Sequence, residues 1–442
     1  MVLRMSAGPA RPPETPACAG VTMRHMLDRR TLLTAGMGWS AVGLLPAWAQ
    51  APLPYGPARL AGSPATSDGD NSGRIVPAPP PGYWPYAGIS GPGKRPTVES
   101  ASGGWTSGMP EVRYKGPQPR TYPTAPWGNA DSGSAVRSGL LPAIRPIHDV
   151  HIRDTIVCLG GDGHYYMTGS TGDNIWAMND GVELWRSSDL RDWTYLGLVW
   201  SIERDGRWER AWRMRAGVPF RALWAPEIHF IRGNYYICHS ISRAGLAILK
   251  SITGRAEGPY VHAFSADAPL RHGIDATLFE DNDGSVWLTY GSADEIVRLK
   301  DDLSGYAGDW QKMTAVAWDL DPTHHRAQCA ANGFRHLGYE GATMFKRAGV
   351  YYLGVVDRYE GRYSFAFWMS DKVTGPWRDR HEGAPCCGGG NVLRDAEGHY
   401  WQTFFGNDEA SPFREKPGLV RIDFDAAGRV VVAPGQPFAE RV

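Results

Sequence analysis

The sequence predicts an all-β fold, a five-bladed β-propeller preceded by an N-terminal Pro/Gly-rich extension, on three observations. First, a hairpin-like segment recurs five times, with aromatic-bearing strand positions at 165–166, 235–236, 286–287, 351–352 and 400–401, separated by 70, 51, 65 and 49 residues. Second, these segments are rich in Val, Ile, Tyr and Trp between Gly and Asp turns, with no sustained 3.6-residue period, which argues for strands over helices. Third, most copies continue into a further strand and a Trp or Tyr, as in VELWRSSDLRDWTYLG, LAILKSITGRAEGPY and FAFWMSDKVTGPW. Repeats of this size with several strands each are the mark of propeller blades.

Taken in order, residues 1–49 read as an export signal of twin-arginine type. Asp28-Arg29-Arg30-Thr31-Leu32-Leu33 precedes an apolar run to Leu45, and Ala47-Trp48-Ala49 offers a small-x-small cleavage site. Met23 or Met26 would each start a signal of ordinary length. The apolar run is too short for a comfortable membrane span, so the mature protein is expected in the periplasm or secreted, away from the membrane.

Residues 50–144 form the extension. Eighteen of the 34 prolines fall between 50 and 146, with few Leu or Ile, and such a stretch builds no core of its own. Tyr83-Trp84, Trp105 and Trp127 are expected to lean on the propeller.

Residues 145–442 form the propeller. The first strand of each blade should line the axis, and the residue opening it should face the channel mouth. Counting eleven residues back from each aromatic gives Asp154, Trp224, Asp275, Glu340 and Gly389. Three acids in one repeated slot converge on one place. A carboxylate at a strand start is often only a turn former, but separate turn acids stand in GGDG and EDNDG.

Composition bounds the partners. The 46 basic and 46 acidic residues cancel, which removes the electrostatic case for nucleic acid or anionic membrane. Eighteen Trp and 19 Tyr fit either blade packing or stacking on sugars. Past the signal the cysteines are Cys158, Cys238, Cys329, Cys386 and Cys387, without CxxC spacing, which argues against a disulfide framework or zinc cage. Cys158 and Cys238 fit buried strand positions, while the Cys386-Cys387 pair leaves packing, a local disulfide or a pocket rim open. No GxxxxGK[ST] or GxSxG occurs, and His324-His325 has no metal-ligand spacing.

A pit with several carboxylates suits acid-catalysed glycoside hydrolysis, which needs one protonated acid and one ionised carboxylate. A third acid would raise the donor's pKa by like-charge repulsion. WAPEIHF at 224–230, IDATLFEDNDG at 274–284 and EGATMFKRAG at 340–349 resemble, in order and spacing, the signature segments of glycoside hydrolase family 43. The resemblance covers about 145–442 and implies five-bladed propeller enzymes acting with inversion on arabinose- and xylose-containing plant polysaccharides. Carried over, it makes Asp154 the general base, Asp275 the residue that tunes the acid and orients substrate, and Glu340 the general acid. Arg414 resembles the family's late sugar-binding arginine, with a solvated loop residue as the alternative. Trp224 is a sugar platform or an inter-blade wedge.

Three departures accompany the resemblance. Thr155 stands where the family has Pro, with Asp149 as a rival base that breaks the eleven-residue offset. Glu227 replaces the Asp of WAPD. Gly388-Gly389-Gly390-Asn391 lacks the fifth-blade histidine of many members, which speaks against a central calcium. No cofactor is required and no metal ligand is assigned. The insert from Asp173 to Ala222, rich in Trp, could wall the pit and favour exo action on a terminal arabinofuranosyl, xylosyl or related residue. The alternatives are action on galactofuranose or galactose linkages, or a sugar-binding propeller without activity.

Overall fold

The computed structural model describes residues 74–78, 134–148, 152–171, 179–215, 218–241, 244–264, 266–316, 337–359, 362–407, 411–413 and 416–437. Five four-stranded antiparallel sheets follow one another along the chain. Blade one holds β1 (Arg153–Leu159), β2 (Tyr165–Ser170), β3 (Gly181–Ser187) and β4 (Thr194–Ser201). A short hairpin, β5 (Arg213–Arg215) and β6 (Val218–Phe220), separates it from blade two, which holds β7 (Leu223–Ile231), β8 (Asn234–Ile241), β9 (Gly245–Ser251) and β10 (Tyr260–His262). Blade three is β11 (Ala276–Glu280), β12 (Val286–Tyr290), β13 (Glu295–Arg298) and β14 (Gln311–Lys312). Blade four is β15 (Glu340–Arg347), β16 (Val350–Tyr359), β17 (Arg362–Ser370) and β18 (Arg378–Glu382). Blade five is β19 (Val392–Arg394), β20 (Tyr400–Phe405), β21 (Pro417–Phe424) and β22 (Val430–Val432).

The first strands β1, β7, β11, β15 and β19 each touch the next, and β19 returns to β1, so they ring the axis. Apolar faces of adjacent blades close on one another through clusters such as Tyr166, Val182 and Trp200 of blade one with Ile228 and Ile237 of blade two. Each such fully buried large side chain stabilises the fold by about 1.5–3 kcal/mol. The ring is sealed between blades five and one by polar groups. Asn391 Oδ1 accepts from Val157 N at 3.1 Å, its Nδ2 donates to Val157 O at 2.9 Å, and Thr403 Oγ1 donates to Thr155 O at 2.6 Å.

Two parts of the chain before the propeller dock on it. Ile75 bridges Arg213 in antiparallel fashion, and Val76 N donates to Trp212 O at 2.9 Å, so this segment extends the β5–β6 hairpin. Ala135, Leu141 and Ile144 are buried in the cluster that contains Cys386, Cys387 and Phe413. A stretch too poor in apolar residues to form a core thus borrows one. Tyr83, Trp84, Trp105 and Trp127 lie outside the described residues, as does the proposed signal. Among the described residues no helix is long and apolar enough to cross a membrane.

The tryptophan-rich stretch from 173 to 222 divides differently from the sequence expectation. Residues 181–201 are the outer strands of blade one, and fully buried Trp200 belongs to β4. The insert proper runs from 202 to 222. It is pinned by Glu209, which is fully buried, 2.7 Å from His262 Nε2 and accepting from Arg207 N at 2.9 Å.

Candidate active site

The backbone at the start of each inner strand repeats with one feature. Ile156 pairs with Thr168, Glu227 with Cys238, Thr277 with Thr289 and Thr343 with Gly354, while Thr403 N donates to Asn391 O. Two residues before each of these positions the chain turns left-handed: Asp154 (φ 52°), Ala225 (42°), Asp275 (56°), Gly341 (63°) and Gly389 (71°). A β-bulge or irregularity marks the site in blades one, two and four. Glycine takes this conformation freely, whereas Asp and Ala hold it at a cost, and such strain gathers at functional positions.

Asp154 and Asp275 therefore occupy one structural slot, as expected. Glu340 does not share it. It stands one residue earlier, before the left-handed Gly341, in the slot of Arg153, Trp224, Ile274 and Gly388. The β1–β2 connection runs from Leu159 to Tyr165, whereas β15 and β16 are joined by a two-residue turn from Arg347 to Val350. An equal spacing to the aromatic thus hides a one-residue difference in register.

The three carboxylates share one electrostatic environment, and each has one oxygen tied by a donor. Ser170 Oγ donates to Asp154 Oδ2 at 2.6 Å, Gly341 N to Asp275 Oδ2 at 3.0 Å, and Tyr363 OH to Glu340 Oε1 at 2.8 Å. Burial, then the Asp154 charge, push the Asp275 carboxyl well above its ordinary range, against the Gly341 N–H. Glu340, 6 % exposed, is likewise held well above its ordinary value by burial and by the charges of Asp275 and Asp154, with the Tyr363 bond and the Arg153 charge opposing. Burial and mutual repulsion therefore hold both Asp275 and Glu340 toward the protonated form, among carboxylates that cannot all ionise together.

Four further residues belong to this neighbourhood; the sequence named Glu227 only as a departure from WAPD and did not single out the other three. Ser170 and Tyr363 supply the donors just described. Arg153, buried, lies with its guanidinium 4.1 Å over the Phe405 ring and donates to Asn407 Oδ1 at 2.8 Å. Glu227, buried, is a fourth acid; its Oε2 lies 3.2 Å from His229 Nε2, and burial raises its pKa. Glu227 and Arg153 left a sequence signal, Glu227 as an acid within the largely apolar β7 and Arg153 as the cation that opens β1 beside Asp154.

The remaining candidates are placed as follows. Trp224 is 7 % exposed, which suits a wedge between blades better than an open sugar platform. Arg414, Asp149, His151, His324, His325 and His336 lie outside the described residues. His148 meets Trp185 edge-on at 6.3 Å, as a framework residue. Cys238, Cys386 and Cys387 are buried and Cys158 partly buried, none of them in a disulfide, so the cysteine pair contributes packing. Its burial in the cluster shared by blades four and five explains why.

A central ion of the kind some family members hold would look for a ligand in blade five. The donors there do not fit. Gly388, Gly389 and Gly390 have no side chain, and the Asn391 amide is spent on Val157 and Thr403. Asp395, Glu397 and His399 bring three donor atoms within 4.8 Å of one another, but in the β19–β20 turn, at the far end of the blade. No step of the chemistry below is routed through an ion.

The profile of the glycosyl hydrolases family 43 matches residues 144–429. The chain belongs to that family. The family-43 chain is 28 % identical over 210 residues to a β-D-galactofuranosidase of Aspergillus niger, a match covering 43 % of this chain and about half (53 %) of that protein. It is 27 % identical over 243 residues to an extracellular endo-α-(1→5)-L-arabinanase of Bacillus subtilis, covering 52 % of this chain and 69 % of the relative. A thermostable family-43 glycoside hydrolase of known structure superposes with a TM-score of 0.50 at 20 % identity, over 68 % of this chain and all (100 %) of the other, in keeping with the five-bladed fold.

Proposed function

We propose that this family-43 chain hydrolyses O-glycosidic bonds with inversion at the anomeric carbon, acting from the chain end on terminal arabinofuranosyl, xylosyl or related residues of plant-type polysaccharides or oligosaccharides. The observation that carries the reading is the set of three carboxylates from blades one, three and four that act on one another, each with one oxygen tied and Glu340 biased to stay protonated. Asp154 is the base: water attacks the anomeric carbon, and its proton passes to Asp154. Glu340 is the acid: the bond from the anomeric carbon to the leaving oxygen breaks, and the Glu340 proton goes to that oxygen. Asp275, itself held above its ordinary range, raises the Glu340 pKa when it is ionised and presents its carboxyl to the sugar. Exchange with solvent returns both carboxyls to their starting states. General acid–base help of this kind contributes about 10²- to 10⁴-fold.

Exo action rests on reading the insert 202–222 as a wall of the site; Glu209 fixes that insert against His262 of β10, the strand of blade two farthest from the axis. A galactofuranosyl residue is the second reading for the sugar, favoured by the β-D-galactofuranosidase relative. Export is part of the proposal, resting on the paired arginines at 29–30 and on the extracellular arabinanase relative. The test is incubation with aryl arabinofuranosides, xylosides and galactofuranosides beside arabinan and xylan, with product anomers followed by proton NMR. Release of an inverted monosaccharide supports the reading. Retained configuration would overturn the mechanism, cleavage of polymers alone would overturn exo action, and binding without turnover would leave a sugar-binding propeller.

A further inference from the structure

We propose that Ser170 is a positioning residue for Asp154, holding its carboxylate as a hydrogen-bond acceptor and fixing its aim through a link to the neighbouring blade. The inference rests on the assignment of Asp154 as the base. Ser170 closes β2, is 2 % exposed, and faces Arg153 across the bulge of blade one. Its Oγ lies 2.6 Å from Asp154 Oδ2 and accepts from Ala225 N, the left-handed residue of blade two, at 2.7 Å.

Counting protons gives the direction. A hydroxyl carries one proton, and the backbone N–H of Ala225 can only donate. When Ser170 donates to Asp154 Oδ2, every group in the chain Ala225 N–H, Ser170 Oγ–H, Asp154 Oδ2 is satisfied. Were Asp154 protonated on Oδ2 and donating instead, the hydroxyl proton of Ser170, itself 2 % exposed, would be left without an acceptor among the described residues. A buried unsatisfied donor is costly. The satisfied arrangement keeps Oδ2 as an acceptor, so a proton taken from water goes to Oδ1.

The geometry also couples the base to the backbone. Asp154 and Ala225 share the left-handed slot in successive blades, and one hydroxyl joins them. Gly169 lets the strands close up here, because a Cβ at that position would lie 2.4 Å from Arg153 O. A side chain held from two blades keeps one rotamer, and a base held in one rotamer meets its water in one orientation.

The test compares Ser170→Ala and Ser170→Thr with the wild type. Asp275, Glu340 and Glu227 as acids, Tyr363, and the Arg153 cation act on Asp154 in all three forms, so a difference belongs to the hydroxyl. With Ser170→Ala, kcat should fall about 10- to 100-fold with KM within about twofold. The acid limb of the kcat/KM profile should move up by roughly half to one pH unit, because a carboxylate that loses a donor holds its proton more readily. Ser170→Thr, which keeps the hydroxyl, should recover most of both. A second measurement needs no substrate: carbon-13 NMR titration of the Asp154 carboxyl, assigned with Asp154→Asn. An upward midpoint shift in Ser170→Ala supports the proposal whether or not the chosen glycosides are turned over. An unchanged midpoint in a folded variant, or unchanged kcat with only a lowered Tm, overturns it.

Discussion

Asp275 and Asp281 stand at opposite ends of β11, and both tie blade three to blade four, yet their chemistry is opposite. Asp281 accepts from Lys346 Nζ at 2.6 Å and from Tyr351 OH. Burial opposes its charge, but those bonds and the lysine hold its pKa below the ordinary value. Asp275 meets the N–H of Gly341, burial and other acids, and its pKa rises. A carboxylate that serves the scaffold has its cation beside it. Asp275 is set among its own kind, at a cost in stability, and the proposed reaction would use such surroundings to keep a proton that is reluctant to leave.

The contrast can be broken by substitution. The largest effect is expected from Asp154→Asn, which should reduce turnover at least about 10³-fold on all substrates with circular dichroism unchanged. If Asp149→Asn did so instead, the base would be assigned to the wrong aspartate. Glu340→Gln should cost about 10²- to 10⁴-fold on glycosides with poor leaving groups and much less on activated aryl glycosides, as leaving-group help becomes dispensable. Equal loss on both would remove Glu340 from the role of acid.

Asp275→Asn and Tyr363→Phe sharpen the comparison because they should move the alkaline limb of kcat/KM in opposite directions. Removing the Asp275 charge lets Glu340 lose its proton more easily, so the limb moves to lower pH. Removing the Tyr363 donor leaves the ionised form less well solvated, so the limb moves up. Stability should respond to the first as well. Glu340 and Asp275 have folded pKa values above their unfolded ones. They therefore cost stability as pH rises from the unfolded value through the folded one, and each amide variant should gain about 1–3 °C in Tm at neutral pH by thermal melts.

Asp281→Asn should act in the other sense and the least on catalysis. Its folded pKa is depressed, so its contribution is present above the unfolded carboxylate value and is lost as pH falls through the folded one. At neutral pH the variant should lose about 1–3 kcal/mol, read from denaturant melts, while kcat stays within a few-fold. A loss of turnover as large as that of Asp275→Asn would end the distinction between scaffold and pit.

Much of this molecule could be read from its residues. The blades were legible because aromatic positions on the second strand and apolar alternation on the first are local properties of hairpins, and each hairpin carries its own signal. The acids were legible because charged residues at the start of apolar strands are conspicuous, and Asp154 and Asp275 fall in one slot as their spacing predicts. Spacing failed for Glu340, since residue counting includes loop residues and the β15–β16 turn is shorter than the β1–β2 loop.

The sequence by itself determined the fold and the number of blades and marked three acids as candidates, because these follow from short-range patterning repeated five times. Tertiary structure alone decided what surrounds each acid: the donors to Asp154, Asp275 and Glu340 come from 16, 66 and 23 residues away. The same carboxyl group takes a different character according to the dipoles and charges brought within about 3 Å of it, by strand pairing inside one blade for Asp154 and Glu340 and by contact between blades for Asp275 and Asp281, and contact between blades has no local signal in the chain.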